Sequence, residues 1–425
     1  MSPNGSAGAE PNSSANATEA ATTTSSANPP TLNQVVQDAM DEAGVTDLSD
    51  MTKAQAIAFH RALQRAQDAQ ATGDFSDTTQ GLKNFVSSIE QAIENWPSDG
   101  ESALEIELNN QTGLQGVLRS LSQFVGNGNV GLPAEVDAAL TEVEHKISVL
   151  NQAVEAIEQQ VPLGESGENH ARQYAERILE SIDALEGAGF DLESLQLVEL
   201  RTELNNQLAL APSDPPDPVG DDQALRKGVL SALGSYFKES GLSENSPQVL
   251  RNSALMKGAS VAAEESSMSE AWESEARSIT NLESFGEDEL NSSVEQLRQL
   301  RADAIRRGDV IAASAIGAKI EVLSDALSKI ESGEVLGDEA MMIGAKLRAI
   351  DLGTKQVLLD SLKAAKADAD KAGDDALIKQ LEGEIASMQS EINVIEQELK
   401  VVKEKTLEVV EDTAEKTVRT LQNLM

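Results

Sequence analysis

Cysteine is missing from all 425 residues. Disulfides, thiolate zinc sites and thiol catalysis are thereby excluded. Aromatic residues make up only 3% of the chain, so any core must be built from Leu, Ile, Val, Ala and Met, a composition that suits helix-on-helix packing. No run of 18 consecutive apolar residues occurs, and a membrane-spanning helix is therefore not expected. Basic residues are absent from the first 52 positions, which carry seven acids. A secretory signal needs a basic start followed by an apolar core, and a transit peptide needs arginine, so neither is expected.

What the chain has in excess is acid. Seventy-two Asp and Glu against 33 Lys and Arg leave a formal net charge of −39. Such a charge repels nucleic-acid phosphates and anionic lipid headgroups, and it fits basic protein partners, an unfolding-prone export substrate or a salty habitat alike. Residues 1–31 are rich in Ser, Thr, Asn and Ala and close on Asn28-Pro29-Pro30. They carry too little apolar surface to offset the entropy of ordering, so a disordered leader is expected there.

From Thr31 onward the pattern is helical, and the expected fold class is all-α, built as elongated hairpins and bundles with long coiled-coil helices. Breaks are expected at 94–103 (ENWPSDGESA) and 124–133 (FVGNGNVGLP). The segment 211–223 (APSDPPDPVGDDQ), with four prolines and four acids, is the strongest linker signal. It divides an N-terminal helical domain (32–210) from a C-terminal one (224–425). Asp50 is the expected N-cap of the helix that follows it. Gly-Asp recurs at Gly73-Asp74, Gly308-Asp309 and Gly373-Asp374, each time between helical runs. Gly can end a helix in the left-handed conformation and Asp can cap the next, so these positions predict helical hairpins.

Two apolar stripes are regular enough to predict seams. After Pro133 the series is Val136, Leu140, Val143, Ile147, Leu150, Val154, Ile157, Val161, in alternating steps of four and three. The same alternation runs through Ile378, Leu381, Ile385, Met388, Ile392, Ile395, Leu399 and Val402. This period places a narrow stripe on one side of a helix, which requires a partner helix and predicts intramolecular hairpin packing or homo-oligomerisation.

Candidate chemistry is sparse. Gly126–Gly131 (GNGNVG) matches the dinucleotide fingerprint in letters, but a helical run precedes it where a strand is required, so a hinge loop is the better reading. Glu142-x-x-His145 is half of a di-iron motif without its other half, and His60 and His170 have no matching companions. Asp368–Lys379 departs from a calcium loop at Ala372 and at Lys379, where oxygen ligands belong. Met341, Met342 and Met388 stand at helical positions where core filling is expected. Trp96, before Pro97, is expected to cover a helix end. No catalytic residue, cofactor or metal is expected, and contact with other proteins is the expected mode of action.

The layout as a whole resembles that of helical translocator and needle-tip substrates of bacterial type III secretion. The features are a base-free leader, absent Cys, helical hairpins and a long C-terminal helix. The resemblance implies an uncleaved export signal in residues 1–31 and secretion by a signal-peptide-independent route. It also implies a chaperone-binding segment at Thr31–Met40, with Leu32, Val35, Val36 and Met40 as its apolar contacts. The chain departs from pore-forming members in lacking long apolar segments, so a structural or tip-like role is implied. The alternative is an acidic cytoplasmic or viral assembly scaffold that holds a basic protein partner.

Overall fold

A computed structural model describes residues 31–70, 76–125, 133–159, 170–210, 218–280, 287–332, 337–400 and 404–424. Among these residues there are fourteen α-helices and no strands, so the all-α fold class holds. The first seven are α1 (Leu32–Glu42), α2 (Lys53–Gln70), α3 (Ser76–Glu94), α4 (Ala103–Phe124), α5 (Pro133–Val154), α6 (His170–Gly187) and α7 (Leu197–Leu208). The second seven are α8 (Pro218–Glu239), α9 (Pro247–Thr280), α10 (Glu287–Arg307), α11 (Val310–Glu331), α12 (Gly337–Ala372), α13 (Asp375–Lys400) and α14 (Glu404–Gln422). Residues 1–30 of the leader, Gly73-Asp74 and the GNGNVG stretch lie outside the described residues.

The local signals that start these helices are visible. Thr31 caps α1 by accepting from the Gln34 N–H, and Ser102 caps α4 by accepting from the Glu105 N–H. Before α2 the expected Asp50 is not the cap. Thr52 and Gln55 form a reciprocal capping box, each side chain accepting the other's backbone N–H. Asp50 instead ends a short 3₁₀ turn and receives the Lys146 ammonium at 2.8 Å. The expected linker 211–223 is shorter than its composition suggests. Pro218 opens α8, where its missing N–H would have no intrahelical partner in any case.

Apolar side chains gather into three clusters. The first holds α1 to α4 and the first half of α5, around Phe59, Leu63, Leu82, Phe85 and Leu118. Phe85 and Phe124 stack there with ring centroids 4.2 Å apart. The largest cluster begins at Leu104 and the second half of α5 and continues through α6, α7, α8, α9, α12 and α13. It runs without interruption from Leu204 of α7 to Val229 of α8, on either side of the proline-rich segment. The third joins the end of α9 to α10, α11 and the start of α12, around Met268, Leu297, Ile316 and Leu347.

Several helices thread between clusters, α5 and α9 among them. In α5, Val136, Leu140, Val143 and Ile147 serve the first cluster, whereas Leu150, Val154 and Ile157, the last just past its end, serve the largest. The predicted α5 seam is thus one stripe shared by two cores, and Val161 lies outside the described residues. α9 behaves alike: Leu255 and Val261 face the largest core, Met268 and Ala271 the third. The α13 seam packs inside the chain against α12. Leu381, Met388, Ile392, Ile395 and Leu399 are buried, Ile378 and Ile385 flank them half-buried, and Val402 lies outside the described residues.

Candidate functional site

Three polar clusters are buried near where the cores adjoin. The one with the densest chemistry lies where α8 and α9 meet the α10–α11 turn. Gly308 takes φ +74°, as the Gly-Asp signal predicts. Asp309, however, makes no cap to its own helix. Its carboxylate is buried and accepts from Ser267 of α9 at 2.6 Å and from Lys227 of α8 at 3.0 Å, with Arg307 at 3.6 Å. The vacant capping role is taken from outside: Glu264 of α9 accepts the Ala312 N–H at 2.7 Å and the Ile311 N–H at 3.3 Å. Burial pushes the Glu264 carboxyl up to about 7. The Ala312 N–H holds it back, and the Asp309 charge raises it further. A cavity of about 10 Å³ lies beside this cluster, lined by Gln223, Ser266, Ser267, Arg307 and Asp309. It has room for about one water and none for an organic substrate.

A second cluster ties α9, α11, α12 and α13 together. Lys319 of α11 is fully buried and pairs with Asp351 of α12 at 2.5 Å. Asp351 also accepts the Trp272 indole N–H at 2.8 Å. Lys355 stands 3.9 Å from the centroid of the Trp272 ring and pairs with Glu391 of α13. A buried ammonium is tolerated only when a carboxylate and hydrogen bonds replace its water. These four helices are thereby held in one register.

The third lies at the end of α5, which widens into a π-helical turn over Glu155–Gln159. Glu158 on this turn is buried and its Oε1 accepts from the Tyr236 hydroxyl of α8 at 3.3 Å. Burial pushes Glu158 up to about 7; Glu105 adds to the rise, and the Ser102 and Tyr236 hydroxyls oppose it. Burial likewise lifts the Tyr236 phenol above its usual range.

Glu142 and Asp50 both pair with Lys146, and His145 is exposed. Among the described residues, no group of three or more His, Asp or Glu side chains could hold a metal ion. In the calcium-like stretch, Asp374 caps α13 through the Leu377 N–H at 3.0 Å and pairs with Arg251, while Asp368 receives Lys257 and Ser253. The hairpin reading of Gly373-Asp374 is the one the geometry takes. Trp96 lies buried against Gly113 of α4, where an added Cβ would come within 2.1 Å of the ring. Met388 is buried as expected, but Met341 is half exposed, because it sits on the outer side of α12. Val35, Val36 and Met40 are buried against α2 in the first core, with Leu32 half-buried beside them.

Sequence reasoning missed Glu264, Asp309, Lys319 and Glu158 as members of clusters. Each meets partners tens of residues away, and no short motif encodes that. Compared with known proteins, the chain matches no family model, no curated protein and no solved structure.

Proposed function

We propose that the chain is a non-enzymatic helical interaction protein, exported by a signal-peptide-independent route as a structural or tip-like factor of a bacterial type III system. The observation that carries the reading is the junction at Thr31. Residues 1–31 hold no Lys or Arg and few large apolar side chains, and the folded helices start at once with the Thr31 cap of α1. An export signal needs such a segment free of the fold behind it. The apolar face of α1, centred on Val35, Val36 and Met40, packs on α2. A chaperone that took the same face would have to lift α1 away from α2. Support for a contact role, in place of catalysis, comes from the titratable clusters: they face one another across helix joints and not a substrate-sized cleft.

A second reading, an acidic scaffold for a basic partner, draws on the ion pairs. More than half of the 33 basic side chains are taken up in pairs within the chain. The unbalanced charge left to a partner is therefore carboxylate.

The two readings separate in one experiment. Residues 1–40 are fused to a reporter and expressed in bacteria with a working type III apparatus and in an export-dead strain. Apparatus-dependent reporter in the medium is the expected result. Retention in both strains overturns the export reading and leaves the scaffold reading, which salt-sensitive binding to a basic protein then tests.

A further inference from the structure

The joint between the first core and the largest is built from three helices and one carboxyl group. α5 leaves the first core at Ile147 and enters the largest at Val149. Its π-helical turn places Glu158 at the point where the start of α4 and the last turn of α8 converge. Ser102 and Glu105 come from α4, and Tyr236 from α8. All of this is dry: Glu158 is 3% exposed, Ser102 0% and Tyr236 1%. One carboxyl oxygen, Oε1, accepts from Tyr236; the other, Oε2, has no hydrogen-bond partner. An extra residue in a helical ladder is costly and marks a place where a side chain must be turned in a particular direction. Here it turns a carboxyl inward, where the Ser102 and Tyr236 hydroxyls only partly offset its burial.

We propose that Glu158 is a proton-controlled latch: neutral, it lets α4, α5 and α8 close into one joint, and ionised, it loosens that joint and frees the N-terminal helices to move against the rest of the chain. A neutral carboxyl can be buried against apolar neighbours at modest cost. An ionised one without a second hydrogen bond cannot, and it drives toward water. The groups acting on it divide, and burial decides: the Ser102 and Tyr236 hydroxyls favour the ionised form, but desolvation outweighs them. Glu105 repels the ionised form, and Tyr236 is a phenol that stays neutral and gives only one hydrogen bond. α6 also packs on the π-turn, and the titratable group it places in this core is Tyr174, whose phenol burial likewise keeps neutral. The latch changes state near neutral pH, since burial lifts the Glu158 carboxyl to about 7. The proton is exchanged with solvent.

The test uses the full chain and benefits from its lack of cysteine. Spin labels are attached through Arg61→Cys on α2 and Glu239→Cys at the end of α8, both exposed. The inter-label distance distribution is measured between pH 5.5 and 8.5. A narrow distribution at low pH that broadens and lengthens with a midpoint near 7, at constant helical content, is expected. Glu158→Gln, the neutral isostere, should hold the narrow form across the range. Glu105→Gln should shift the midpoint to lower pH, and it keeps the proposal testable should Glu158→Gln misfold. A distribution independent of pH, or pH dependence that survives in Glu158→Gln or stays unmoved in Glu105→Gln, overturns the latch.

Discussion

The two described Gly-Asp turns begin from the same dipeptide and end with different chemistry. Gly308 and Gly373 have nearly the same backbone, φ +74° and +70°. Beyond that they diverge. Asp374 caps its own helix and adds an ion pair to Arg251. Asp309 abandons its helix for Lys227 and Ser267, and Glu264 reaches in from α9 to cap in its place. The difference lies in what the fold brings up to each turn. At the α12–α13 turn an arginine approaches and leaves one carboxylate oxygen for capping. At the α10–α11 turn a lysine and a serine approach from two other helices and take the carboxylate away. A local motif sets the backbone of a turn, whereas the side chain answers to the strongest partner in reach.

The largest effect that sharpens this contrast should come from Asp309→Ala. It leaves the half-buried Lys227 and the buried Ser267 hydroxyl beside an uncompensated site, and breaking a buried pair by removing one partner typically costs about 3 kcal/mol or more. Chemical denaturation should show a loss of that order. A loss under about 1 kcal/mol would mean that Asp309 is no more committed than a surface cap.

Glu264 supplies the next largest effect, with a definite sign. Its folded carboxyl is raised to about 7 from an ordinary value of 4.5. Between those values the folded state holds a proton that the unfolded state has lost. The stability contributed by this group is therefore greatest at low pH and is lost as pH rises through 7. By linkage the loss from this one group approaches about 3 kcal/mol across that window. Glu264→Gln should remove its share and leave the part that Glu158 contributes. An unaltered pH profile in thermal melts of Glu264→Gln would show that the two N–H groups of α11, not burial, set the state of this carboxyl.

How much of this was legible in the sequence follows from the same contrast. The helices were legible because a chain poor in aromatics and rich in Leu, Ile, Val and Ala at helical spacing has few other ways to bury itself. The turns at Gly308 and Gly373 were legible because only glycine takes that φ without strain. The α13 stripe was legible as a buried face, and α12 is the helix that covers it. That the α5 stripe serves two cores was not legible, since Val143 and Leu150 look alike whichever core receives them. Nor was Met341, since an apolar residue on a long helix faces outward when every neighbour lies on the other side. The capping box at Thr52 and Gln55 is written in the sequence in its usual spacing, but Asp50 just upstream is an equally good cap in sequence, and only the fold gives it to Lys146. The polar clusters were beyond reach altogether. Glu264 and Ala312, or Lys319 and Asp351, share no local pattern, and only tertiary packing brings them together.

Smaller effects test the half of the comparison in which the two turns agree. Asp374→Ala removes one cap and one partly exposed ion pair, and should cost about 1 to 2 kcal/mol, clearly less than Asp309→Ala. The smallest and sharpest test is the pair Gly308→Ala and Gly373→Ala. At neither position would an added Cβ meet anything within 4 Å, so packing contributes nothing and only backbone strain remains. That strain is about 1 kcal/mol for a non-glycine residue in the left-handed region. Since the two φ values nearly coincide, the two losses should agree to within a few tenths of a kcal/mol, even though the losses at the neighbouring aspartates differ by about 1 kcal/mol or more. A larger loss at Gly308 would show that the turn and the buried carboxylate are coupled, and that the backbone there is held by Lys227 and Ser267 as well as by its own glycine.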